Sequence, residues 1–352
     1  MSIQTQSDVK PLEGPWPYRL VAVLSVAFVF VAFTQPMLAW QPALAALAIS
    51  MRPRALVRFL AVATFVLLLI GGAVTTYRVG MAVPDWPQTM GHNMFTYPLS
   101  EMIKSGPVSL EHSHRLWATG VGLITVCLAV GCFLRPEGRE LRALSIVALI
   151  AVCIQGVLGG TRVLENSTNL AFLHGAFAQV FYAIVAVLFV RTTQAWNTAT
   201  SKDTLEATSL KRRARFAVGL VYAQIALGAW VRHSGNTTGL AFHAALAFAV
   251  LIVVLGLVKE LRQSAGGDQA SPLARTASLL TGTVFAQVLL GILAAGAIFV
   301  VGAGFEGTVT VAEAVTATLH VAVGALLLSG CVAAFLWAGR AIDDTQVAGG
   351  VA

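Results

Sequence analysis

The chain has 352 residues, 57% of them hydrophobic and only 11% charged, a balance that excludes a soluble globular domain and places the protein in a bilayer. Its net charge of +7 gathers in alternate loops, where it serves membrane topology and contact with membrane lipid headgroups, not nucleic-acid binding.

The first stretch, residues 1–50, reads as an amino-terminal extension. Its apolar part, Leu20 to Ser50, is interrupted by Gln35, Pro36, Gln41 and Pro42, and is too long for one straight span yet short for two. Polar and mixed residues precede it and no compact small-residue cleavage site closes it, so it reads as a hairpin or kinked anchor, not a cleaved signal peptide.

Beyond it, apolar runs of about 20 residues, the length that crosses a hydrocarbon core, predict eight spans near 55–77, 112–134, 141–162, 169–191, 213–232, 238–258, 275–301 and 312–337. The loops Met51 to Arg58, Arg135 to Arg142, Arg191 to Arg215 and Lys259 to Arg275, and the tail with Arg340, are basic. By the positive-inside rule they face the cytoplasm, which leaves 78–111, 163–168, 233–237 and 302–311 outside. The expected fold is an all-α, polytopic membrane helical bundle, multi-pass in the inner (cytoplasmic) membrane with a cytoplasmic carboxy-terminus. Cys127, Cys132, Cys153 and Cys331 all fall within spans, where a small apolar side chain is the expected role and a loop disulfide is not.

The chain contains echoes of itself. Gln155-Gly-Val-Leu-Gly-Gly-Thr-Arg162 precedes Leu170-Ala-Phe-Leu-His174, and Gln224-Ile-Ala-Leu-Gly228 with Arg232 precedes Leu240-Ala-Phe-His243; Gln287-Val-Leu-Leu-Gly291 then precedes His320. Two pseudo-symmetric four-helix halves, 51–200 and 201–340 with a tail at 341–352, account for these repeats economically.

His114, His174, His243 and His320 each stand near the outer end of an even-numbered span. Intramembrane polar groups need partners. Zinc wants a tetrahedral set, and copper or di-iron sites want more histidines or carboxylates close together. Haem needs only one axial histidine from each of two facing helices and an apolar slot. One turn beyond each histidine stands a small residue, Ala118, Ala178, Ala247 or Gly324, suited to a macrocycle or to close helix packing. Arg78, Arg115, Arg162 and Arg232 stand at outer ends of spans, where they suit haem propionates or lipid phosphates. His112 is off the face of His114 and reads as a loop-edge or propionate-side residue. His92 and His233 read as solvated surface residues, and Asp85 and Trp86 either shape a turn or close over a pocket.

Glu111-His-Ser-His-Arg115, followed by His174, His243 and His320 at the openings of the later even spans, resembles the haem A synthase family. The run Gly80-Met-Ala-Val-Pro-Asp-Trp-Pro87 after Thr75-Thr-Tyr-Arg78 is similar to that family's first outer loop. The resemblance implies an eight-helix bundle whose amino-terminal half receives haem O at His114 and His174 and whose carboxy-terminal half retains haem b as cofactor at His243 and His320. It implies oxidation of a ring methyl of haem O to the formyl of haem A, with Glu111 as the catalytic carboxylate, and it implies an unidentified electron donor. Haem O synthase and a terminal oxidase are the candidate partners, and a homo-oligomer is compatible with this arrangement. Unlike many members, this chain has no cysteine in its first outer loop, so thiol chemistry there is not expected. A non-enzymatic haem carrier stays open as the alternative. A dihaem electron-transfer subunit fits less well, because such subunits stack haems near opposite membrane faces and all four histidines here lie near one.

Overall fold

The computed structural model describes residues 51–201, 204–302, 304–305, 307 and 309–341; the extension with its expected anchor and the tail beyond Ala341 lie outside the described residues. Among these, eight helices are long and apolar enough to cross a membrane, and the protein is a multi-pass, all-α membrane protein. They are α1 (Pro53–Thr76), α2 (Gly106–Leu134), α3 (Arg142–Leu164), α4 (Thr168–Arg191), α5 (Leu205–Ser234), α6 (Thr237–Ser264), α7 (Pro272–Gly296) and α8 (Val311–Trp337).

Caps explain where these boundaries depart from hydropathy. Ser105 accepts a hydrogen bond from the Val108 N–H, with Pro following in the first turn, so α2 starts at Gly106, not at 112. Thr204 accepts from the Ala207 N–H and starts α5 at Leu205, not at 213, which puts Lys211, Arg212, Arg213 and Arg215 on a helical stem. Ser167, Asn236, Ser271 and Thr310 cap α4, α6, α7 and α8 in the same way. Gly235, left-handed at φ 64°, ends α5. Inside the spans, Thr64, Thr125 and Thr283 donate to the carbonyls of Leu60, Val121 and Leu279, so their hydroxyls are satisfied without water.

Helices α1–α4 share a core of Leu56, Leu60, Ile124, Leu128, Val185 and Leu188, and α5–α8 share a second core built on Leu210, Val221, Val254, Leu280 and Leu328. The two groups meet along α1, α4, α5 and α8, with Leu68, Tyr182 and Ala325 buried between them. Large apolar side chains such as Phe242, Phe248 and Ile252 are exposed on the periphery, as a lipid-facing surface requires. With lipid as apolar as leucine, close packing holds such helices together, and small residues permit it.

The loop from α1 to α2 carries a hairpin, β1 (Gln88–Thr89) against β2 (His92–Asn93), and a short helical turn, Leu99–Lys104. At the opposite end, β3 (Thr200–Ser201) pairs with β4 (Arg340–Ala341). Arg340 donates to the Ala199 carbonyl at 2.8 Å and lies over the Trp196 ring, tying the linker between the two helix groups to the end of α8.

Gly72 on α1 tests this packing. A Cβ there would stand 3.2 Å from Thr318 Cγ2 on α8, whereas Gly122 has open space around it. Gly72→Val is expected to destabilise the purified protein by about 1–3 kcal/mol, read as a lower thermal unfolding midpoint, while Gly122→Val, with the same helix propensity cost, leaves the midpoint close to wild type.

Candidate functional site: two pairs of histidines on glycine seats

The structure brings His114 on α2 to His174 on α4, with ring centroids 6.5 Å apart, and His243 on α6 to His320 on α8, with centroids 6.2 Å apart. The rings stand nearly perpendicular, at 82° and 73°. Both pairs lie at the end of the bundle away from the basic loops.

Each ring rests on a glycine of the preceding helix. A Cβ would stand 3.1 Å from His114 Cε1 at Gly71, 2.8 Å from His174 Cε1 at Gly159, 2.7 Å from His243 Cε1 at Gly228, and 3.0 Å from His320 Cε1 at Gly291. A side chain at Gly159 or Gly228 would push the imidazole off its place, and at Gly71 or Gly291 the ring would have to yield by a few tenths of an ångström. These seats are absent from the sequence reading, although Gly159, Gly228 and Gly291 close the repeated Gln-x-x-x-Gly strings.

The glutamines of those strings complete the seats. Gln155 donates to the His174 carbonyl at 2.9 Å and lies 3.5 Å from its Nε2; Gln224 donates to the His243 carbonyl at 2.8 Å and lies 3.3 Å from its Nε2. Gln287 lies 3.2 Å from His320 Nε2, and His320 Nδ1 meets the Gln287 carbonyl at 3.1 Å. Because a carbonyl only accepts, Nδ1 carries the proton and Nε2 is left as the basic nitrogen, the usual orientation of a metal-ligating histidine. Four residues before Gly71 stands Leu67, so His114 has no amide neighbour of this kind. The small residues one turn past the histidines serve packing: Gly324 makes room for Gln287, and Ala178 joins the core between the helix groups.

Around the first pair the outer loop is clamped down. Glu111, 2% exposed, accepts from the Val83 N–H at 2.8 Å and from Arg115 at 2.9 Å. Arg115 also donates to the carbonyls of Val83, Asp85 and Gln88. Trp86 packs on Gly160, where a Cβ would stand 2.4 Å from its ring, and Arg162 donates to the Gly80 carbonyl at 2.7 Å. The loop thus bridges α2 and α3 beside His114 and His174. His112 is not a loop-edge residue: it is fully buried beneath the loop, 3.1 Å from Thr89 Oγ1 and with the Tyr97 ring at 5.2 Å.

Asp85 shapes the loop's turn, accepting from the N–H groups of Met90 and Gly91. Partial burial disfavours its charged form, but those two N–H groups, with help from Arg115, outweigh it and hold the carboxyl below its ordinary value.

The remaining arginines also have protein partners. Arg78 donates to the Gly307 carbonyl at 3.0 Å, and Arg232 meets Glu313 on α8 at 3.4 Å. Glu313 is only 1% exposed, and sequence reading missed it. It lies two turns before His320, as Glu111 lies one turn before His114. His92 is exposed, but His233 is half-buried and turned toward α4; it is not a solvated surface residue.

Among the described residues no three His, Cys, Asp or Glu side chains gather as a metal site. Two imidazoles per centre suit a metal whose other ligands come from elsewhere. The 6.2–6.5 Å spacing leaves room for one atom bound between two ring nitrogens at about 2 Å from each. The Nδ1 atoms of His114, His174 and His243 are buried without a partner, an arrangement that would be costly as mere packing.

Fold and site define a polytopic membrane protein with two paired-histidine centres at one end of its helices. Residues 106–242 match the family model described as cytochrome oxidase assembly protein, a stretch that takes in His114 and His174 and stops just short of His243. Over 179 residues the chain is 29% identical to the heme A synthase of Alkalihalophilus pseudofirmus (50% of this chain, 58% of that protein), and over 200 residues it is 28% identical to that of Shewanella oneidensis (53% and 58%). The aligned region thus spans somewhat over half the length of these relatives. Over these stretches the chain is similar to cytochrome oxidase assembly and heme A synthase proteins.

Two outcomes check the loop clamp. Glu111→Ala removes the acceptor of the Val83 N–H, and hydrogen exchange at that amide is expected to quicken about tenfold or more, the effect of one lost charge-assisted hydrogen bond. Asp85, with a folded pKa below its unfolded one, stabilises the turn at and above the ordinary carboxylate value of 3.8, and that contribution fades as pH falls through the folded value. Protection of the Met90 and Gly91 amides should follow that acid transition, and Asp85→Asn should abolish it.

Proposed function

We propose that the protein is a haem A synthase: it holds haem b between His243 and His320 and presents haem O between His114 and His174 for oxidation of a ring methyl to a formyl group, through hydroxylated intermediates. The observation that carries this reading is the pairing of four histidines, two by two, each on a glycine. A macrocycle supplies four metal ligands of its own and asks the protein for only two, and an approach this close to the helix backbone suits a flat, wide ligand.

The two centres differ in ways that support assigning the cofactor to the second and the substrate to the first. His320 is oriented by the Gln287 carbonyl, and the α5–α6 turn beside that pair is only Gly235 and Asn236; this is a site for a ligand that stays. The first pair has a long loop clamped beside it and a histidine without an amide neighbour, features that suit a ligand that enters and leaves. When bound, haem b supplies one-electron redox chemistry, fed by an electron donor outside this chain.

The chain's own residues then have distinct tasks. Gln155, Gln224 and Gln287 fix their histidines. Glu111 and Arg115 hold the outer loop. Arg162 and Arg232, next to the two pairs, are the arginines best placed to receive propionates; Arg115 is committed to loop carbonyls. The basic loops, read by the positive-inside rule, support a histidine end that faces outward from the inner membrane. The enzyme that makes haem O and the terminal oxidase that uses haem A are the partners this activity implies.

Cells producing this protein with a haem O supply, grown aerobically, are expected to yield haem A or its hydroxylated precursor in extracted haem. Glu111→Gln should lower that yield while bound b-type haem persists. Recovery of haem O and haem B alone, unmodified, would instead identify a haem carrier. The glycine seat gives a separate check: Gly228→Ala should weaken b-type haem binding about tenfold or more, as changes just behind a ligand do, measured as pyridine haemochrome after purification. Gly219→Ala, on the same helix with open space around it, should leave haem content unchanged.

A further inference from the structure

The basic end of the bundle, opposite the histidine pairs, carries a groove that the haem reading does not use. Between α6 and α7 lies a cavity of about 490 Å³. Leu255, Val258 and Phe285 line its deeper part, and Lys259, Arg262 and Thr281 line the part nearer the α6–α7 turn. A second cavity, of about 310 Å³, continues from Arg262 toward that turn and is lined by Gln269 and Ser278 with Ala265 and Ala274. Along the groove an apolar lining thus gives way to a polar one. Arg262 borders both cavities, and Lys259 stands one turn earlier on the same helix face.

Nothing in the protein neutralises these two cations. No Asp or Glu lines either cavity. Glu260, which lies between them in sequence, pairs with Arg213 on α5, and Asp268 in the turn accepts from the Ala270 N–H. Among the described residues Arg262 donates only to the neutral Thr281 hydroxyl, at 3.3 Å, and Lys259 has no partner. Phe285 is exposed on the periphery of the bundle, so the groove opens sideways, where acyl chains are the solvent. A ligand that fits has an apolar tail, a negative charge at one end of it and a polar group beyond.

We propose that this groove binds one anionic phospholipid of the cytoplasmic leaflet. Its phosphate lies between Lys259 and Arg262, an acyl chain runs along Leu255, Val258 and Phe285, and the rest of the headgroup points toward Gln269 and Ser278. Basic pockets between membrane helices on the cytoplasmic side hold lipid headgroups in this way, and an arginine fork suits a phosphate. Seated there, the lipid bridges α6, which carries His243, and α7, which carries Gln287 and Gly291.

The test uses full-length protein in neutral detergent, titrated with phosphatidylglycerol and, separately, with phosphatidylcholine of the same chain length, with the first bound lipid read by native mass spectrometry. Wild type is expected to bind phosphatidylglycerol more tightly. Lys259→Gln combined with Arg262→Gln should weaken that first binding about tenfold or more, the loss of charge-assisted contacts, and leave phosphatidylcholine almost unaffected. Both side chains are exposed, so the variant is expected to fold. Arg212→Gln, which removes an exposed cation from the same end of the bundle on α5, should bind both lipids as wild type does. Unchanged phosphatidylglycerol binding in the double variant overturns the site. An equal loss in Arg212→Gln also overturns it, by showing attraction to the charged surface as a whole. Displacement of the lipid by millimolar glycerol 3-phosphate would make the groove a site for a free phosphate and overturn the lipid assignment.

Discussion

Contact between each imidazole and a glycine on the preceding helix is the constraint on which the rest of the structure depends. A histidine inside a membrane has few ways to be held: lipid offers no hydrogen bond, and its own helix backbone is already committed. Removing the opposing side chain lets the ring lie against the neighbouring helix, where van der Waals contact sets its position and, for His174, His243 and His320, a glutamine adds polar contacts. The same closeness draws α1 onto α2, α3 onto α4, α5 onto α6 and α7 onto α8. One device thus serves both helix association and imidazole placement, which is economical where packing alone must drive assembly.

From that shared device the two centres diverge through what surrounds them. The second centre has a two-residue α5–α6 turn, an oriented His320 and an ion pair of Arg232 with the buried Glu313. The first is enclosed by a loop whose carbonyls are gathered by Arg115 and whose backbone N–H is held by Glu111. Breaking such a buried pair by removing one partner costs about 3–5 kcal/mol, so the loop's position is strongly specified. A centre with one tightly held wall and one ring free of an amide neighbour can both admit a ligand and hold it at a fixed place.

Much of this was legible in the sequence. The eight spans follow from hydropathy, and the four histidines stand out because ionisable residues are expensive in lipid. Helix starts at Gly106 and Leu205 were missed because the caps, Ser105 and Thr204, lie among polar residues outside the apolar runs. The seats at Gly159, Gly228 and Gly291 were present in the repeated strings but carried no signal of what they faced, since a glycine's partner is a tertiary fact. Gly71 was hidden further by Leu67 in place of glutamine. Glu313 and His233 escaped for the same reason: each matters through residues more than 50 positions away, with Glu313 paired to Arg232 and His233 set against Gly175.

The central claim, two haem centres each held by its own histidine pair, is tested most directly by low-temperature electron paramagnetic resonance of the oxidised protein loaded with haem. The account predicts two sets of low-spin, two-imidazole signals, with His174→Ala abolishing one set and His320→Ala the other. A single set of signals, or a loss of both sets from either substitution, would contradict it.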